Sequence, residues 1–192
     1  MSDRGARGDT SRSDGPESVA LPWRGLAQWS SHQEFIDRSH ECLRVIREQA
    51  LESAAEADLR ALLDPEAPWD LFGSPPGDEI RRRAMMVLWA LIGGQAGRDP
   101  DAETWLSGCV TRSFAEVGQA WFELGFFLFM VGEGVVAEVP LRRAIEAGHP
   151  DYVDQGLHYL GLVLADEKGR EDEARELRDQ LGQWDPPFGT RE

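Results

Sequence analysis

His40-Glu41-Cys42 sets an imidazole, a carboxylate and a thiol side by side. Converging, such a trio could run nucleophilic chemistry. Consecutive residues on a helix point in different directions, however, and cannot form a working dyad. An exposed His40 and a half-buried Cys42 are expected. The other histidines, His32, His149 and His158, form no HExxH spacing, and Cys42 and Cys109 form no CxxC, so neither a metal site nor a cofactor is expected. Two distant cysteines also make no disulfide framework. Glu171-Asp172-Glu173 reads as a solvated acidic helix start, favoured by the helix dipole. The segment from Phe129 through Gly132-Glu133-Gly134 to Ala137 has the outline of a strand–GxGxxA–helix phosphate loop. Pro140 falls inside the helix that motif would need, and no second strand is in sight. A turn between helices is the better reading.

The elements that would carry these residues are all helical. Ser31 to Glu34 spells a capping box, followed by Phe35, Ile36, Leu43, Ile46, Ala50 and Leu51 at helical spacing. Ser53–Glu56 and Ser113–Glu116 repeat the box and predict two further helix starts. Asp64-Pro65 predicts a stop, because a residue before proline avoids the helical region. A helix from about Asp78 is expected to stop at Gly93-Gly94, and Pro100 to open another. Pro140 is expected in the first turn of a helix ending at Ala147-Gly148, Pro150 starts the next, and Lys168-Gly169 turns into a last one. Eight capped segments and no convincing strand predict an all-α fold. Leu21-Pro22-Trp23 and Leu26-Ala27-Gln28-Trp29 read as a docking segment.

Composition limits the function. The chain has 192 residues, 41% hydrophobic and 29% charged, with a formal net charge of −15. That suits one domain with tails. So negative a surface repels phosphate backbones, and the run Arg81-Arg82-Arg83 follows Asp78 and Glu79, so no nucleic-acid partner is expected. Neither a secretory leader nor an apolar stretch of membrane length appears, so a soluble, cytoplasmic protein without a membrane partner is expected. Lys168 is the sole lysine among 20 basic residues, a bias read as that of a GC-rich bacterial genome.

The C-terminal helices resemble one another. Leu124-Gly125 recurs as Leu160-Gly161, Trp121 as Leu157 and Leu128 as Leu164, each 36 residues on, while Ala137 and Ala174 are one position out of step. Leu88 hints at an earlier copy, with Trp89 where the glycine would be. Such a period marks stacked helix pairs. Trp121-x-x-Leu124-Gly125, the turn at Gly132-x-Gly134 and Ala144-Ile145-x-Ala147-Gly148-His149 resemble tetratricopeptide repeats, and most of all their Sel-like variant. The resemblance covers about residues 83–182 and is clearest over 120–181. It implies antiparallel helix pairs stacked as a short α-solenoid superhelix, holding a protein or peptide in a concave groove. It brings no catalytic residue. The organisation expected is a disordered tail (1–18), an N-terminal helical segment packed on the repeats (19–77), the repeat region (78–182) and a C-terminal tail (183–192).

If Trp121, Leu124, Gly125 and Leu128 pack within the repeat, Phe122, Phe126 and Phe129 form a stripe towards the concave side. His158, Leu162 and Ala165 match them in the next unit. Three phenylalanines at i, i+4 and i+7 need a cover. The N-terminal helices or the tail at Pro186-Pro187-Phe188 would supply it, or else a partner or a second copy in a homodimer. The function expected is a non-enzymatic interaction module. Two alternatives are an acidic inhibitor or immunity-type protein neutralising a basic partner, and an enzyme or enzyme subunit using His158 and Tyr159 in a helical cleft. Gly125 and Gly161 are both expected at close helix approaches, with the turn glycine Gly169 more tolerant of a side chain.

Overall fold

The computed structural model describes residue 23 and residues 31–64, 78–96, 100–113 and 116–182. The expected tails, the loop Gly73–Gly77 and Trp29 lie outside the described residues. Eight helices are described: α1 (His32–Glu48), α2 (Glu52–Leu63), α3 (Asp78–Ala96), α4 (Pro100–Ser113), α5 (Val117–Met130), α6 (Gly134–Glu146), α7 (Pro150–Asp166) and α8 (Glu171–Gly182). No strand occurs among the described residues, and the fold is all-α. No helix among them is long and apolar enough to cross a membrane.

Several boundaries follow from local chemistry. Ser31 Oγ accepts the Glu34 amide at 3.1 Å and caps α1. Asp64, before Pro65, turns extended and ends α2. Pro150 opens α7, with Nδ1 of His149 accepting the Asp151 amide. Gly132, Gly148 and Gly169 hold positive φ at the turns after α5, α6 and α7, where a side chain would be strained.

Four boundaries differ from those expected. Ala50, at φ 53°, folds the chain tightly after α1, so α2 begins at Glu52 with Leu51 as its cap, and the Ser53–Glu56 box goes unused. Ser113 ends α4 instead of opening α5, whose cap is Glu116. Helix α3 runs through Gly93-Gly94 to Ala96. A Cβ on Gly93 would collide with Cγ1 of Val136, so this glycine serves the approach of α3 to α6 rather than a stop. Helix α6 begins at Gly134, and Pro140 is inside it, buried. The ring has no N–H for the Val136 carbonyl, so that helix hydrogen bond is missing.

Helices adjacent in sequence touch one another along the chain, α5 with α6, α6 with α7, and α7 with α8 most extensively. Matched positions of the 36-residue period are matched in burial: Trp121 and Leu157, Leu124 and Leu160, Leu128 and Leu164 all enter the core. Trp89 meets Trp121 edge to face at 5.5 Å, filling the joint between α3 and α5. From the N-terminal side, the Phe35 ring of α1 stacks on Phe127 of α5 at 5.0 Å, and Trp23 is buried with Nε1 donating to Asp58 of α2.

Ion pairs fasten α6 to α8 and to α4. Arg170 holds Glu138 of α6 with both guanidinium nitrogens, at 2.6 and 2.8 Å, and also pairs with Glu173. Arg142 bridges Glu138 and Glu173. Arg143 reaches Glu103 and Ser107 of α4 while covering the Trp121 ring. Hydrogen bonds from Arg170 hold the Glu138 carboxyl below its usual 4.5, and those from Arg142 do the same for Glu173. Depressed carboxylates give stability that is present above their unfolded value and is lost as pH falls through the folded one. Acidification below about pH 4.5 should therefore loosen α8 from α6, and Glu138→Gln should cost about 1 kcal/mol at neutral pH, given the partial exposure of the network. Urea melts of both proteins across that range check this. The gap should close as the pH falls, and a constant gap would mean that the network carries no net stability.

Candidate functional site

His40 and Cys42 do not converge. His40 is exposed, with Nδ1 3.1 Å from the Val131 carbonyl, and Cys42 is fully buried, beyond the half burial expected. Burial pushes the Cys42 thiol up to about 12, far from a thiolate at neutral pH. The segment Phe129–Ala137 is the end of α5, a turn and the start of α6. Among the described residues no group of three or more His, Cys, Asp or Glu is placed to hold a metal ion.

The phenylalanine stripe is where the side chains gather. Rotation of 100° per residue separates its members. Phe122 and Phe129 lie close together in angle and face α7, where Phe122 stacks on Tyr152 at 5.5 Å and Phe129 meets Tyr159 at 5.4 Å. Phe122 pairs with the earlier tyrosine and Phe129 with the later one, so α5 and α7 run parallel. Phe126 is rotated to one side of both. It touches Tyr159 at 5.0 Å and His32 of α1 at 6.5 Å, and stays half-buried. The cover expected from the N-terminal helices or the tail thus comes mostly from α7, with His32 the contribution of α1. The tail lies outside the described residues.

Beyond Phe126 the same side of α5 carries Gln119, Glu123 and Met130, the last 41% exposed. Gln119 Nε2 donates to Glu123. On α7, His158 and Ala165 occupy the places of Phe122 and Phe129 one unit on. Both are exposed, and Leu162, matching Phe126, is 40% exposed. Among the described residues no helix stands against them as α7 stands against α5. The stripe and its matched positions therefore differ: Phe122 is buried, Phe126 and Phe129 are half-buried against Tyr159, and His158, Leu162 and Ala165 are exposed.

Sequence reasoning missed Tyr152 and Met130, and gave Tyr159 only to the enzyme alternative. The tyrosines could have been found from the period, since both fall on the side of α7 that turns back towards α5. Three carboxylates, Glu116, Glu123 and Asp151, stand around Tyr152. Burial first, then the charges of Glu123, Asp151 and Glu116, hold its hydroxyl above the ordinary tyrosine range. His149 is 3.7 Å from Glu116 and 3.9 Å from Asp151, its ring 5.0 Å from that of Tyr152.

Fold and face together define an all-α protein of sequentially packed helices with a half-open aromatic seam between two parallel helices. Comparison with protein-family models, curated proteins and solved structures gives no match.

Proposed function

We propose that the chain is a non-enzymatic interaction module, a short α-solenoid of tetratricopeptide-like or Sel-like helix pairs that holds a protein or peptide partner. One observation carries the reading. Phe126 and Met130 on α5 and Leu162 on α7 keep apolar surface open along a seam whose aromatic rings pack on one another. Large side chains left half-exposed in one line are what a partner's apolar residues would cover. The net charge of −15 favours a second reading, an acidic inhibitor or immunity-type protein that neutralises a basic partner. The reading as an enzyme subunit would rest on His158 and Tyr159, whose rings meet edge to face at 5.2 Å as ordinary aromatic packing.

Selection of random linear peptides displayed against the full chain tests the module. Enriched sequences should bind the wild type and lose binding to Phe126→Asp and Met130→Asp, both of which should stay folded. Sequences that bind wild type and folded variants alike would overturn the groove. Light scattering on the same proteins reports a second copy as the occupant, since Phe126→Asp would then turn a dimer into a folded monomer.

A further inference from the structure

Carboxylates on the flank of α6 and α8 are matched by arginine: Glu138 and Glu173 by Arg142 and Arg170. Glu103 is matched by Arg143 and Glu133 by Arg47. At the seam the pattern reverses. Among the described residues, no Arg or Lys pairs with Glu116, Glu123 or Asp151. Glu123 takes its hydrogen bond from the neutral amide of Gln119, and Glu116 and Asp151 are left with His149. All three charges act on Tyr152, whose ring stacks on Phe122 and stands 5.0 Å from that of His149. Negative charge and an aromatic ring at one place both attract a cation, the first by Coulomb attraction and the second through the ring quadrupole. Further along the same side, Phe126 and Met130 offer apolar surface without charge.

Resting on the reading of the chain as an interaction module, we infer that its seam takes a basic–apolar peptide segment. An arginine or lysine sits among Glu116, Glu123, Asp151 and Tyr152, and a neighbouring apolar side chain lies over Phe126 and Met130. The guanidinium or ammonium supplies the kind of counter-charge that Arg142 and Arg170 give Glu138 and Glu173 on the other flank. Acidic segments are repelled at the same place, so partners are sorted by charge, and binding weakens as salt rises.

Fluorescence anisotropy on the full chain tests this with three labelled peptides: one alternating arginine and leucine, its citrulline counterpart, and one alternating glutamate and leucine. The arginine peptide should bind most tightly. Glu116→Gln combined with Glu123→Gln should weaken it roughly tenfold, the worth of one lost charge-assisted contact. Glu176→Gln combined with Asp179→Asn removes the same charge from the exposed side of α8 and should change binding less than about twofold. Equal weakening by both double variants would overturn the inference, since net charge alone would then explain the binding. Equal binding of the citrulline peptide, still lost in Met130→Asp, would overturn it while leaving the module reading intact. Failure of all three peptides to bind would overturn both.

Discussion

Phe127→Ala should destabilise the protein by about 3 to 5 kcal/mol, while Phe126→Ala, one residue earlier, should cost about 1. The two side chains have the same size and stand on the same helix. Phe127 has no exposed surface and stacks on Phe35, so its loss opens a cavity where α1 docks. Phe126 lies on the seam against Tyr159 and His32, with part of its ring in solvent. Truncation there removes edge contacts but leaves no enclosed void. A protein of this size shifts its melting temperature by about 2 to 4 °C per kcal/mol, so thermal unfolding resolves the pair easily. Equal costs would place Phe126 inside the core and remove the open side of the seam, and the proposed function with it.

How far the sequence revealed this arrangement depended on whether a signal was local or tertiary. The Ser31 cap, the Asp64-Pro65 stop and the turn glycines were readable because each acts within a few residues. The boxes at Ser53 and Ser113 look the same on paper, yet the turn at Ala50 and the extension of α4 supersede them. Gly93-Gly94 failed as a stop because Val136, more than forty residues away, needs the space. The period of 36 matched positions on α5 and α7 that are also matched in burial, Trp121 with Leu157, Leu124 with Leu160 and Leu128 with Leu164. Treating Phe122, Phe126 and Phe129 as one stripe hid the angular step between Phe126 and its neighbours, and that Phe122 is buried where the other two are half-exposed. The carboxylates around Tyr152 were not legible, since Glu116, Glu123 and Asp151 come together only when α5 and α7 lie side by side.

Gly125→Ala and Gly161→Ala should change stability in opposite directions, although the repeat makes the two glycines equivalent. A Cβ on Gly125 would stand 2.6 Å from Cγ of Leu141 and 3.2 Å from its backbone nitrogen, so α6 must shift, at a cost of about 1 to 3 kcal/mol. Nothing lies within 4 Å of a Cβ on Gly161. The close approach expected there is absent, and the extra residue in the turn before α8 explains it. With Ala174 matching Ala137 one position late, the residue corresponding to Leu141 becomes Arg178, which is exposed and folds back to the Ala174 carbonyl. Alanine at 161 meets open space in a helix interior and should gain about 0.5 to 1 kcal/mol from backbone entropy. Nor is Gly169 the tolerant turn position that the sequence suggested: at φ 90° it strains any side chain, and Gly169→Ala should destabilise. Urea unfolding of the three variants should order them with 161 above wild type and both 125 and 169 below it. Loss of stability at 161 comparable to that at 125 would mean that α8 lies as close to α7 as α6 does to α5, and that the one-residue slip does not open the last pair.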